Sequence, residues 1–232
     1  MLPAQYIVNA ILCTVVAAAP ALVDQEHATK RGVFMNSFMG LILNIFPVNT
    51  LVTTTCGSLT TGQLLLSTVF NLDTTRDSSS NVGALVGPPL FKAIAEKLPG
   101  KSINVQGVKY PASVEGYLGA DGASGKKMAE LVKSTSSSCP DTKIVLGGYS
   151  QGGYAIHHAA SALGDTMSNV SAVVIFGDPM SGEAVSNIDA ANVRIVCHDG
   201  DDICKQGIFI MPQHLTYAND AAASADFIAA RV

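Results

Sequence analysis

Residues 143–153 read Lys143-Ile-Val-Leu-Gly-Gly-Tyr-Ser-Gln-Gly-Gly153, an apolar, β-branched run that breaks into glycine and opens into a stretch of helical composition over 151–163. A short run of Ile, Val and Leu bounded by Gly predicts a buried strand. At its end, Gly148-Tyr149-Ser150-Gln151-Gly152 has the spacing Gly-x-Ser-x-Gly at a junction of strand and helix. The spacing has a physical reason. A serine on a sharp strand-to-helix turn sits in strained backbone, and flanking glycines let strand and helix approach with no Cβ between them. Its hydroxyl then stands above the end of the sheet. The following amide, that of Gln151, points to where charge develops on an attacked carbonyl oxygen. The alternative for the same residues is a glycine-rich turn around a buried serine.

Working outward, strands are predicted over 103–108, 170–176 and 193–197, and helices over 88–98, 122–135 and 221–232. Strands separated by helices imply a mostly parallel sheet covered on both faces, that is, a three-layer α/β/α sandwich. Ligands bind such sheets at the carboxyl ends of the strands, so those loops are the place to search.

A serine hydroxyl is a weak nucleophile until a base takes its proton and an acid orients that base. After a Gly-x-Ser-x-Gly elbow the chain order is Ser, then Asp or Glu, then His. Downstream of Asp201 the only histidine is His214. His198 reads as an exposed neighbour, and His157 and His158, on the helix after the serine, as structural or solvated. For the acid, Asp178, Asp199, Asp201 and Asp202 compete. Asp201 is favoured because a Cys197–Cys204 disulfide would hold its loop rigid, which suits a group that fixes an imidazole tautomer.

The five cysteines fit that disulfide. Cys13 falls in a segment expected to be removed, leaving four: Cys197 with Cys204, closing a tight loop, and then Cys56 with Cys139. No Cys-x-x-Cys spacing suggests zinc or dithiol chemistry, so no metal is expected.

Of 232 residues, 48% are hydrophobic and 14% charged, with a net charge of −4. That supplies a large core and excludes disorder as the main state. No block of Lys or Arg is present to neutralise phosphates, so nucleic acid is not an expected partner. No apolar run suits an integral membrane channel. The apolar stretch 7–19, followed by small residues, reads as a secretory signal peptide over 1–20, with a buried N-terminal helix as the alternative. Lys30-Arg31 is a candidate processing site, so 21–62 reads as a propeptide and N-terminal helical extension, with a helix over 34–46 ended by Pro47. The domain proper is expected over 63–232. Asn169-Val170-Ser171 is a glycosylation sequon beside a strand.

Gly147 to Gly152, the loop Cys197-His-Asp-Gly-Asp-Asp-Ile-Cys204 and the run Gln213-His-Leu-Thr-Tyr217 together resemble the three motifs of fungal cutinases. The segments 81–88 and 176–179 resemble the same family, so the likeness runs from about residue 81 to the C-terminus. The resemblance implies a lidless α/β-hydrolase fold and a secreted, extracellular serine carboxylesterase acting on cutin and short-chain esters. It implies Ser150 as nucleophile, Asp201 as acid, His214 as base and Gln151 as an oxyanion donor, with no cofactor and as a monomer. Tyr149, Ile208 and Ile210 are expected to contact substrate, the last two from an apolar run over 208–211. That run is otherwise a buried strand. Upstream the likeness fails. Where cutinases carry a strand ending Ala-Arg-Gly-(Ser/Thr), this chain has 64–72 and then Thr74-Thr75-Arg76-Asp77-Ser78-Ser79-Ser80. By position Ser78 or Ser79 would be the second oxyanion donor, but the departure from the motif means the resemblance does not carry that role to either. Two other functions fit the same residues: an acetylxylan-type esterase of this fold, or a catalytically impaired secreted protein that binds surfaces.

Overall fold

Five strands pair in parallel in the order β2-β1-β3-β4-β5: β1 Leu64–Val69, β2 Ile103–Gly107, β3 Lys143–Tyr149, β4 Val170–Phe176 and β5 Val193–Val196. The molecule is seen as a computed structural model that describes residues 64–69, 85–108, 114–118 and 122–232. The signal peptide, propeptide and helix expected within residues 1–62, Cys56, and Ser78 and Ser79 lie outside the described residues. Among the described residues the helices are α1 Gly87–Lys97, α2 Val114–Leu118, α3 Gly122–Ser138, α4 Gly152–Leu163 and α5 Ala221–Ala229.

The side-chain alternation of the strands builds three layers. Ile144, Leu146, Val173 and Ile175 meet Met128 and Val132 of α3 and Ile156 and Ala159 of α4. The opposite set, Val145, Tyr149, Val174 and Phe176, meets Leu90 and Ile94 of α1 and Ala225 and Ile228 of α5. Both faces of β3 and β4 are therefore buried, which is why these strands read as continuous apolar runs.

The strands expected at 143–149 and 170–176 form at those residues. The strand expected at 103–108 ends one residue early, as does that at 193–197. The segment that departs from the resemblance, 64–72, does form a strand over Leu64–Val69, between β2 and β3. The run over 208–211 forms no strand; it is irregular chain between two 3₁₀ turns. Asn169 is exposed and ends the 3₁₀ turn that leads into β4. Among the described residues no helix is long and apolar enough to cross a membrane.

Helices α3 and α4 approach closely at Gly125. A Cβ there would lie 2.4 Å from the Cβ of His158 and 3.0 Å from the Ala159 amide nitrogen. At Gly122, three residues earlier in α3, a Cβ would meet nothing within 4 Å. Gly125→Ala should therefore destabilise by about 1–3 kcal/mol through forced separation of the helices, while Gly122→Ala stays within about 0.5 kcal/mol of the parent. Urea unfolding of both variants checks the pair; equal midpoints would contradict it.

Candidate active site

In the strand order 2-1-3-4-5 the connections leave in opposite directions from β1 and β3, and ligands of such sheets bind beyond the carboxyl ends of the strands at that point. Ser150 directly follows β3 there. Its φ is +56°, in the left-handed region that a non-glycine residue seldom adopts. Two backbone bonds hold the turn: Ser150 N–H donates to Phe176 O at 2.9 Å, and Gly153 N–H to Ser150 O at 2.8 Å. The glycine spacing follows from contact. A Cβ on Gly148 would lie 2.9 Å from Gly152 O and 2.8 Å from Ile156 Cδ1, and one on Gly153 would lie 2.6 Å from Asp178 Oδ1. Ser150 is 3% exposed and Gln151, at the N-cap of α4, is 6% exposed.

Asp201 and His214 come from two loops beyond β5. The Cys197–Cys204 disulfide closes the first, and Gly200 at φ +83° turns it. Asp201 is fully buried and both its oxygens are used. Oδ1 accepts from Ile203 N–H at 3.0 Å, while Oδ2 accepts from His214 Nδ1 at 2.8 Å and from the Tyr217 hydroxyl at 2.6 Å. Because a carboxylate only accepts, this pairing makes Nδ1 the donor and leaves Nε2 the acceptor. Among the described residues the buried Nε2 meets no hydrogen-bond partner.

The imidazole is boxed in from several sides. The Tyr149 ring stacks on it with centroids 4.9 Å apart, and the Tyr149 hydroxyl donates to His214 O at 2.7 Å. Tyr217 meets it edge-on at 5.9 Å. Gly177, at φ +59°, leaves the remaining space: a Cβ there would lie 2.6 Å from His214 Cε1. Tyr149 and Ser150 are consecutive, so the ring that supports the base belongs to the strand that presents the serine.

Burial alone would raise the Asp201 carboxyl, but the hydrogen bond and charge of His214, with the Tyr217 and Ile203 bonds, outweigh it and lower its pKa below 3.8. Burial and the neighbouring carboxylate push the Tyr217 phenol well above its usual value, so it remains a donor.

The other residues expected at the site take varied positions. Tyr149, expected at the substrate, is fully buried and stacks on His214. Ile208 and Ile210 are half-buried, and Ile210 packs against the core. Their neighbours Phe209 and Met211 are the exposed pair, at 38% and 37%, so the apolar run presents the opposite parity to that expected. His198 is not simply an exposed neighbour: it hydrogen-bonds Gln213, Thr216 and Asp220. Asp178 is committed elsewhere, accepting from Met180 N–H at 2.9 Å and bonding buried His157 Nε2 at 3.0 Å. Asp202 accepts from Phe209 N–H, and Asp199 is exposed. Sequence reasoning missed Tyr217 as the second donor to Asp201, although it stands three residues after His214 and closes the motif quoted for it. Cys139 is disulfide-bonded. No group of His, Cys, Asp or Glu among the described residues could hold a metal ion.

A parallel α/β sandwich with a strained serine elbow, and a buried Asp–His pair delivered from later loops, defines the serine hydrolases of the α/β-hydrolase fold. Residues 67–232 match the family model described as Cutinase, and the chain belongs to that family of carboxylic-ester hydrolases. It is 41% identical over 236 residues to cutinase cut1 of Trichoderma harzianum, covering 95% of each chain. It is similar to a Trichoderma reesei cutinase solved with a C11Y4 phosphonate inhibitor, with TM-score 0.68, 35% identity, and coverage of 95% of this chain and 96% of that one. The catalytic core of an acetylxylan esterase from Trichoderma reesei shares the fold, with TM-score 0.55 at 19% identity over 74% of this chain and 99% of that one.

The lowered Asp201 pKa makes a prediction. A carboxyl whose folded pKa is depressed contributes stability above its unfolded value, here about 3.8, and that contribution is lost as pH falls through the lower folded value. As pH falls below about 3.8 the parent should therefore lose unfolding free energy more steeply than Asp201→Asn. Urea titrations across that range measure it; parallel slopes would remove the argument.

Proposed function

We propose that Ser150 is the nucleophile, His214 its general base and Asp201 the acid that orients the base, with the Gln151 amide as an oxyanion donor. One observation carries the reading: buried His214 gives its Nδ1–H to Asp201 Oδ2 at 2.8 Å, which leaves Nε2 as the ring nitrogen able to take a proton.

In the proposed cycle Nε2 takes the Ser150 proton as Oγ attacks the ester carbonyl carbon. The imidazolium is stabilised by Asp201, and the tetrahedral oxygen by Gln151 N–H at the N-terminus of α4. The intermediate collapses, the alcohol leaves with the proton from Nε2, and water hydrolyses the acyl-serine by the reverse proton path.

The proposed substrates are cutin and short-chain esters. The names of the relatives support this, as do exposed Phe209 and Met211, which suit acyl chains better than a polysaccharide. Secretion as a monomer is part of the same reading, supported by the apolar stretch 7–19 and the Cys197–Cys204 disulfide, which suits an oxidising compartment. Cys56 is the proposed partner of Cys139.

A phosphonate serine probe should label the folded parent at Ser150, located by peptide mass spectrometry. Ser150→Ala should lose the label and about 10⁴-fold or more in kcat toward p-nitrophenyl butyrate. Full activity in Ser150→Ala would refute the nucleophile. Absence of labelling in folded parent would favour the non-catalytic reading, and activity on acetylated xylan alone would move the substrate to that polymer.

A further inference from the structure

Beside the Asp201–His214 pair stands a second imidazole that the proposed cycle does not use. Residue 198 touches both loops that supply the pair. Its carbonyl accepts from Asp201 N–H at 3.0 Å, and its own N–H donates to the Tyr217 hydroxyl at 3.0 Å, the hydroxyl that in turn donates to Asp201 Oδ2. Its ring stacks on Tyr217 with centroids 4.1 Å apart. Nδ1 lies 3.0 Å from Gln213 O, the carbonyl just before His214, and 3.1 Å from Thr216 Oγ1, while Nε2 lies 2.7 Å from Asp220 Oδ2.

The partners of the ring are all acceptors. Gln213 O and the Asp220 carboxylate have no proton to give, and the Thr216 hydroxyl already donates to Gln213 O at 2.9 Å. The ring bridges these acceptors through its two nitrogens. Asp220 is committed to that bridge. It occupies the N-cap position of α5 yet its side chain makes no capping bond, turning to His198 instead.

We propose that His198 is a positioning residue for the reaction: clamped by Asp220, its ring fixes the turn over 212–217 so that His214 and Tyr217 meet Asp201 in register. This rests on the reading of His214 and Asp201 as base and acid. A loose turn would leave the fold intact and misplace the base, and a misplacement of about 1 Å can cost on the order of 10²-fold in rate.

The test uses His198→Phe, which keeps a ring for Tyr217 but removes both ring nitrogens, and Asp220→Ala, which removes the clamp and no capping bond. Each folded variant is read by kcat and KM for p-nitrophenyl butyrate and by the downfield proton resonance of His214 Nδ1–H. Both variants should lose about ten- to a hundredfold in kcat with KM within about twofold, and the resonance should shift or broaden. The double variant should be no slower than the worse single one, because both changes break one clamp. Parent-like kcat and resonance in either folded variant would overturn the proposal; should His198→Phe not fold, Asp220→Ala decides alone. Should the parent neither hydrolyse esters nor take the phosphonate, the esterase reading falls, and the His214 resonance still decides whether the clamp orders the pair.

Discussion

The Asp201 carboxylate is a buried charge, and the geometry around it answers to that fact. An ion taken out of water costs several kcal/mol unless hydrogen bonds and an opposing charge replace the solvent. Here the Ile203 amide, the Tyr217 hydroxyl and the His214 Nδ1–H replace it, from segments up to sixteen residues apart in the chain. The disulfide fixes the loop that carries the acid, and the 3₁₀ turns at Pro212–Leu215 and Tyr217–Asp220 deliver the partners. What looks like irregular chain after β5 is the lining of one anion.

The same constraint explains the division of labour between rings. Tyr149 and Tyr217 are fully buried aromatic residues whose hydroxyls need acceptors. Tyr149 finds the backbone of His214 and Tyr217 finds Asp201, so each satisfies its own polar end while fixing a member of the pair. Gly177 completes the arrangement by having no side chain where the imidazole must lie. The serine needs no such box. Its position follows from the strand-to-helix turn, held by Phe176 O and by the close approach of Gly148 to Gly152.

Where structure follows from local pattern, the sequence was legible. The runs at 143–149 and 170–176 are buried on both faces, and their apolar continuity marks both ends of each strand. The elbow was legible because Gly148 answers to a local contact, the close approach of Gly152 four residues on. Asp201 and His214 emerged from chain order and from the spacing of Cys197 and Cys204. What stayed hidden depends on tertiary contact. The roles of Tyr217 and His198 exist only once two loops meet. Tyr149 reads as a substrate contact because it adjoins the serine, yet strand alternation turns it into the core. Over 208–211, apolar character alone does not say which parity faces outward, and the exposed members proved to be Phe209 and Met211. The leucine-rich β1 carries no sequence mark of its central place in the sheet.

That central place has a practical bearing on where the polypeptide can be cut. β1 lies between β2 and β3, and it is the nearest in chain order to the N-terminus of the five strands. The match to the family model begins at residue 67, inside it. A fragment trimmed to that border would keep every residue of the Ser150, Asp201 and His214 arrangement and still lose half the seam that joins β2 to the rest. Any shortened version meant to fold must therefore begin upstream of Leu64.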